Sequence, residues 1–150
     1  MHEGLPGGTQ RAWRAFLSAN LRLMERLDHE LQQRSQLSLT DYEILSALDE
    51  APDQRLRMSE LADRVIVSRS RLTYRVDRLA AAEYVSRIEC EDDRRGLFAS
   101  LTPTGASALA AATPGHDIDI NTWFFDLLDE PEVATIESIM TRVDEKLASN

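Results

Sequence analysis

The sequence predicts a mainly α-helical fold with one small β-hairpin, and three observations support this prediction. Between Ser59 and Thr102 the residue patterns follow in the order helix, tight turn, helix, strand, charged loop and strand. Amphipathic helical patterns precede and follow this segment. Five arginines between residues 64 and 78 stand against a single acidic residue, although the whole chain has a net charge of -9. This order and this clustering are typical of a winged helix-turn-helix domain that binds DNA.

The composition is that of an ordinary globular chain. Of its 150 residues, 43% are hydrophobic and 29% are charged, so the chain can bury one sizeable core. No apolar run is long enough to span a membrane, and the N-terminus lacks the pattern of a signal peptide, so we expect a cytoplasmic protein. The single cysteine excludes an internal disulfide, and the three scattered histidines lack the spacing of metal ligands. We therefore expect neither a metal nor a cofactor.

The sequence predicts a short N-terminal lead-in followed by one domain. Residues 1–8, with three glycines and a proline, are expected to be disordered, and residues 9–150 to form a single domain. Within it, the winged helix-turn-helix covers about residues 38–102, and helices for dimerisation cover about 9–35 and 103–149.

The first helix is expected to run from Thr9 to about Arg34, and it is apolar on more than one side. A partner chain that covers this surface is favoured, and packing inside its own domain is the alternative. Its main stripe consists of Trp13, Leu17, Met24, Leu27 and Leu31, and Phe16, Leu21 and Leu23 widen it.

The next helix is predicted from its capping residues. Residues 40–43 (TDYE) have the pattern of a capping box, with Leu39 and Ile44 as the hydrophobic staple. This helix should end near Pro52, because the residue before a proline disfavours helical geometry. The elements expected to follow are a short strand at 56–58 and a compact helix at 59–65.

The second helix of the helix-turn-helix begins after Ser68, which is a good N-cap residue. Leu72, Val76 and Leu79 follow at i, i+4 and i+7 and fix its inward side. The outward side therefore carries hydroxyl, phenol and guanidinium groups, which hydrogen-bond base edges and phosphate oxygens. A merely solvated charged face is the alternative, but such a face would also carry Lys, which this stretch lacks. The predicted DNA-binding residues of this helix are Ser68, Arg69, Ser70, Arg71, Thr73, Tyr74 and Arg78.

A strand pair and two helices complete the chain. Residues 84–90 alternate well enough for a strand, residues 97–101 form the return strand, and EDDRRG lies between them. A helix then starts at Thr102-Pro103, breaks or kinks at Pro114-Gly115 and resumes to about Leu128. The last helix opens at Glu130, and its apolar stripe consists of Val133, Ile136, Ile139, Met140, Val143 and Leu147.

From Ser59 to Gly105 the chain resembles the MarR family, the multiple antibiotic resistance regulators. MSELADRV resembles the first helix of the family's DNA-binding motif, and SRSRLTYRVDRL resembles its recognition helix. CEDDRRGLFASLTPTG resembles the family's wing signature, with Asp93 and Arg95 on the signature positions. The flanking helices match the family's dimerising arms, so the resemblance covers about residues 12–148. One departure is Glu83-Tyr84, where the family commonly has a glycine that closes the recognition helix.

The resemblance implies homodimers whose first and last helices interlock. Each subunit would place its recognition helix in a major groove and a wing arginine in the adjacent minor groove. Most members repress their own or a neighbouring operon and leave DNA when a small, often phenolic, ligand or an oxidant acts. The expected partners are therefore double-stranded DNA with a pseudo-palindromic operator, a second copy of the chain, and a small phenolic effector.

The wing residues Arg94 and Arg95 are predicted to bind DNA, because a narrow minor groove attracts an inserted arginine. Asp93 would support Arg95 through a charge-assisted pair. Salt bridges within the acidic loop are the alternative role for both arginines.

Other interpretations are weighed against these. Cys90 is expected to be a plain strand-end cysteine rather than a redox switch, because its acidic neighbours disfavour a thiolate. His116 is expected to be a structural residue rather than part of a ligand pocket, and no effector-binding residues are assigned. An acidic winged-helix module that binds proteins and not DNA is the alternative function, supported by the net charge of -9. No enzyme motif is present, so we expect no enzymatic activity.

Overall fold

The computed structural model describes residues 6–89 and 96–149 and confirms a mainly α-helical fold with a small β-sheet. The helices are α1 (Gly7–Ser35), α2 (Leu39–Asp49), α3 (Met58–Val65), α4 (Arg69–Ala81), α5 (Pro103–Trp123) and α6 (Glu130–Ala148). The strands are β1 (Arg55–Arg57), β2 (Val85–Glu89) and β3 (Leu97–Leu101), and they form one antiparallel sheet in the order β1-β3-β2. Short 3-10 turns lie at Pro52–Gln54 and Phe125–Leu127. Within the described ranges, no helix combines the length and apolarity that crossing a bilayer requires.

The chain divides into two compact units. The sheet-containing unit is Met24–His116, and the helical unit comprises the chain up to Leu23 and from Asp117 onward. The helices α1 and α5 contribute residues to both units.

The sheet-containing unit has its own hydrophobic core, to which α2, α3 and α4 contribute the most deeply buried side chains. The inward stripe of α4 is as predicted, since Leu72, Val76 and Leu79 are all buried. From α2 and α3, the fully buried residues are Ile44, Leu45, Leu48 and Leu61. Because the apolar side of α4 is held by this core, its opposite side must face solvent.

The capping box of α2 lies two residues earlier than the sequence predicts. The Ser38 hydroxyl accepts a hydrogen bond from the Asp41 backbone N–H at 3.0 Å, and the Asp41 carboxylate accepts one from the Ser38 N–H at 3.0 Å. The prediction of a box that starts at Thr40 is therefore wrong. Asp28 of α1 explains the shift. Its carboxylate accepts the Leu39 N–H at 2.8 Å, and this N–H belongs to the first helical turn, where it has no partner within α2.

Two further helix boundaries differ from the predictions. Helix α1 starts at Gly7, so Gly7 and Gly8 are helical rather than disordered, and the carbonyl of Pro6 accepts the first helical bond from Gln10 at 2.9 Å. Helix α5 continues through Pro114 to Trp123 without the predicted interruption. Ala110, whose carbonyl loses its partner to the proline, is exposed, so water can hydrogen-bond it.

The start of α5 is tied to the end of α4. The Thr102 backbone N–H donates to the Tyr84 carbonyl at 3.1 Å, and the Thr102 hydroxyl donates to the Glu83 carbonyl at 2.6 Å. The same hydroxyl accepts the Gly105 N–H at 3.0 Å and thus caps α5. A Cβ atom at Gly105 would overlap the Tyr84 carbonyl oxygen and would lie 2.9 Å from Leu101 Cδ1, so only glycine fits here.

Helix α4 ends in a Schellman motif without a glycine. The Tyr84 N–H donates to the Leu79 carbonyl at 2.9 Å, and the Glu83 N–H donates to the Ala80 carbonyl at 3.0 Å. Glu83 has a φ of 61°, in the left-handed region that glycine prefers. The chain therefore forms this helix end without a glycine, at the cost of strain at Glu83.

The helical unit leaves large apolar side chains in solvent. Of the predicted stripe of α1, only Leu27 and Leu31 are buried, and both belong to the sheet-containing unit. Within the described part of the helical unit, the large hydrophobic side chains that remain exposed are Trp13, Phe16, Leu17, Leu21, Ile118, Trp123, Phe125, Leu127, Ile139, Met140, Val143 and Leu147.

Candidate nucleic-acid interface

The solvent-facing side of α4 carries the residues that the sequence predicts for DNA contact. Ser68 caps the helix as expected, since its hydroxyl accepts the Arg71 N–H at 3.3 Å. Ser70 lies beside it, with 3.4 Å between the two hydroxyl oxygens. The Tyr74 side chain is 57% exposed, and the Thr73 hydroxyl donates to the Arg69 carbonyl at 2.9 Å. Thr73 therefore retains accepting capacity, and Tyr74 can both donate and accept.

The arginines of the basic stretch fall into two groups. Arg64 forms an ion pair with Glu50 at 2.6 Å, and Arg75 forms one with Asp41 at 3.5 Å. These two side chains are held by acidic groups of α2 and its C-terminal end. The others are exposed and form no ion pair within residues 6–89 and 96–149; they are Arg69, Arg71 and Arg78. The guanidiniums available for phosphate are thus the three that the sequence assigns to DNA.

An arginine that the sequence analysis did not assign ties the wing to α4. Arg87 of β2 forms an ion pair with Asp77 of α4 at 2.9 Å, and its guanidinium also donates to the Thr73 carbonyl at 3.4 Å. This pair fixes strand β2 beside the solvent-facing side of α4. The charge pattern gives no hint of the contact, because Arg87 lies on the alternating strand and Asp77 on the helix.

A cleft of about 380 Å³ lies between α4 and the base of the wing. Its lining residues are Arg57, Met58, Ser59, Arg69, Leu72, Thr73, Gly96 and Leu97. Beside it, the guanidinium carbons of Arg55 and Arg57 each lie 5.3 Å from the ring centroid of Phe98. Arg55, Arg57 and Phe98 were also missed by the sequence analysis, since their proximity arises only from the pairing of β1 with β3.

Several predicted residues lie elsewhere. Cys90, Asp93, Arg94 and Arg95 fall outside the described residues, so their roles stay predictions. His116 is buried, and its ring centroid lies 4.4 Å from that of Tyr42, which agrees with the expected structural role.

The three-stranded sheet, the helix pair α3–α4 and the basic solvent-facing side of α4 together define a winged helix-turn-helix protein of the nucleic-acid-binding class. A sequence profile of the MarR family matches residues 35–96. The transcriptional regulator MhqR of Bacillus subtilis is 30% identical over 107 residues, which cover 71% of this chain and 72% of MhqR. The chain belongs to the MarR family.

Two further relatives extend the similarity over most of the chain. The transcriptional repressor YetL of Bacillus subtilis is 28% identical over 129 residues, covering 86% of this chain and 77% of YetL. The crystal structure of Sco3205, a MarR family regulator from Streptomyces coelicolor in complex with DNA, superposes with a TM-score of 0.93. Its identity is 36%, over 97% of this chain and 91% of Sco3205.

Proposed function

We propose that this DNA-binding transcriptional regulator of the MarR family is a repressor that binds a pseudo-palindromic operator as a homodimer and is released by a small, phenolic ligand. Repression is supported by the similarity to the repressor YetL. Binding to double-stranded DNA is supported by the similarity to Sco3205, whose structure contains DNA. The protein would act in the cytoplasm, where its DNA lies, and without enzymatic activity.

The observation that carries this proposal is the division among the arginines. On one helix, Arg75 is held by Asp41, whereas Arg71 and Arg78 extend into solvent with no ion pair to a described residue. Between them lie the exposed side chains of Thr73 and Tyr74, which suit base edges. A basic rim around hydrogen-bonding groups is the arrangement that a major-groove helix requires.

The homodimer is supported by the helical unit. Its exposed apolar side chains, such as Leu21, Leu127 and Leu147, are 60–75% exposed and recur on several helices. Many large apolar side chains exposed within one unit are typical of an interface. A two-fold dimer would present two α4 helices to half-sites about 34–36 Å apart, one turn of DNA.

The test of DNA binding begins with a duplex that the protein itself enriches from a random-sequence library. We expect Arg71→Gln combined with Arg78→Gln to weaken binding to this duplex at least about tenfold and to flatten its salt dependence, because two phosphate contacts per chain are lost. Arg75→Gln is the matched control on the same helix and should change affinity by less than about twofold. Equal effects of both variants would contradict the assignment, and fluorescence anisotropy measures all three proteins.

Sedimentation equilibrium tests the dimer. The wild type should have twice the 16.9 kDa mass of one chain, and Leu21→Glu should lower the average mass. Ile88→Glu, a similar change on an exposed strand of the sheet-containing unit, is the control and should leave the mass unchanged. A monomeric wild type would refute the proposed dimer.

The protein-interaction module without DNA binding is the competing function. The family relationship supports the DNA-binding function and gives the module no support. If the wild type enriched no sequence and bound no duplex at low salt, the module would replace the present proposal.

A further inference from the structure

Arg57 is held in place by an aromatic ring rather than by an acid. In the antiparallel pairing of β1 with β3, Arg57 lies directly opposite Phe98, and its guanidinium carbon is 5.3 Å from the centre of that ring. The nearby carboxylate of Glu60 accepts the Arg57 backbone N–H at 3.1 Å and so points to the start of α3. No ion pair joins the Arg57 guanidinium to any described residue, so its charge is not neutralised there. Stacking on a ring fixes the position of a guanidinium and leaves its N–H donors free for a ligand.

Arg57 and Arg69 line the same cleft. Arg57 belongs to the strand before α3, and Arg69 to the first turn of α4. The hydroxyl residues Ser59 and Thr73 also line the cleft, and none of the lining residues that the structure describes is acidic. Two cations on one cleft, with no acid among its described lining residues, favour an anion between them, and a guanidinium binds phosphate oxygens especially well.

The position of the cleft identifies the anion. Its lining includes residues of α4, the helix proposed for the major groove, and Gly96 and Leu97 at the base of the wing. A helix in the major groove and a wing in the adjacent minor groove lie on the two sides of one sugar–phosphate backbone. The cleft between these elements therefore faces that backbone.

We infer that the cleft binds a phosphate of the DNA strand that separates the two grooves, that Arg57 and Arg69 contact this phosphate, and that Phe98 positions Arg57. The inference rests on the proposed function and extends the DNA-binding surface from α4 to strand β1. Phosphate contacts of this kind fix the register of a protein on DNA without reading its sequence.

Arg55 provides a matched control for Arg57. Both are arginines of β1, both guanidinium carbons lie 5.3 Å from the Phe98 centroid, and only Arg57 lines the cleft. We expect Arg57→Gln to weaken binding roughly tenfold, equally on the enriched duplex and on a scrambled one, and to reduce the salt slope by about 0.9 per bound chain. Arg55→Gln should leave the salt slope unchanged. A slope that changes equally in both variants, or in neither, would overturn the inference.

A second measurement alters the DNA as well as the protein. Methylphosphonate substitution, one phosphate at a time, should find a position whose neutralisation weakens the wild type more than it weakens Arg57→Gln, which keeps only the contact from Arg69. Phe98→Leu should lose part of the DNA affinity that Arg57→Gln loses. Phe98→Tyr, which keeps the ring, should retain the wild-type salt slope. If every neutralised phosphate affected Arg57→Gln and the wild type alike, the contact would be refuted. If the wild type bound no DNA, the proposed function would be overturned as well. If the wild type bound DNA and Arg57→Gln bound it equally well, only this inference would be overturned.

Discussion

Adding a single methyl group at Gly105 is expected to destabilise the protein, because the atoms that the new Cβ would meet cannot move independently. It would overlap the Tyr84 carbonyl oxygen and lie 2.9 Å from the Tyr84 carbonyl carbon. That carbonyl accepts the Thr102 N–H at 3.1 Å, so moving it away also breaks the junction between α4 and α5. The obstacle is therefore hydrogen-bonded backbone rather than the end of a flexible side chain.

The magnitude follows from three contributions. Overpacking of a buried site costs about 1–3 kcal/mol. Straining the two hydrogen bonds from Thr102 to the Glu83 and Tyr84 carbonyls adds about 1 kcal/mol each, whereas the better helix propensity of alanine returns up to about 1 kcal/mol. We therefore expect Gly105→Ala to lower the free energy of unfolding by about 2–4 kcal/mol, a large part of the total for a domain of this size.

Urea unfolding followed by circular dichroism measures this loss. Gly8→Ala is the control, because Gly8 is also helical and its Cβ would meet no atom within 4 Å. That variant should be between neutral and about 1 kcal/mol more stable. If Gly105→Ala unfolded within about 0.5 kcal/mol of the wild type, the conclusion that only glycine fits at this contact would be wrong.

Two further predictions concern Glu83 and Glu43. Glu83→Gly should raise the free energy of unfolding by about 0.5–1 kcal/mol, because Glu83 occupies the left-handed region, and a lower urea midpoint would contradict this. Partial burial of the Glu43 carboxyl, reinforced by the nearby charge of Glu50, raises the pKa of Glu43 above its usual value. Since the pKa of Glu43 is higher in the folded than in the unfolded protein, ionisation of Glu43 opposes folding. The stability that protonated Glu43 contributes is fully present below about pH 4.3 and is lost as the pH rises through the folded pKa. Glu43→Gln should remove that decline from the urea midpoints measured between about pH 4 and pH 6, and identical profiles for both proteins would refute the assignment.

The sequence was sufficient for the elements whose signals are local. The return strand was predicted at residues 97–101, where the structure has β3, and the inward stripe of α4 was predicted residue by residue. Ser68 is recognisable as an N-cap because the capping contact is local. Its hydroxyl accepts the backbone N–H of Arg71, three residues later. Such signals do not depend on the rest of the fold.

Contacts between distant residues were beyond prediction from one sequence. Two overlapping stretches, starting at Ser38 and at Thr40, both have the pattern of a capping box. The box at Ser38 forms, and Asp28 of the preceding helix accepts the N–H of the next residue, Leu39. The sequence assigns Arg71 and not Arg75 to DNA, but it gives no sign that Arg75 pairs with Asp41 of α2.

The cleft depends on tertiary structure in the same way. Arg57 and Phe98 are far apart in sequence and meet only in the sheet, so the stacked arginine could not be found from charge patterns. The tip of the wing, including Arg94 and Arg95, falls outside the described residues, and its assignment still rests on the family signature.

The apolar helical unit has a consequence for how the protein responds to its own abundance. In the proposed dimer these side chains are covered only by a second copy, so their burial obeys mass action. Where most chains are single, halving the number of chains per cell reduces the DNA-binding species by about fourfold, because the dimer forms from two of them. Dilution during growth would then weaken repression more steeply than the loss of protein itself, without any effector.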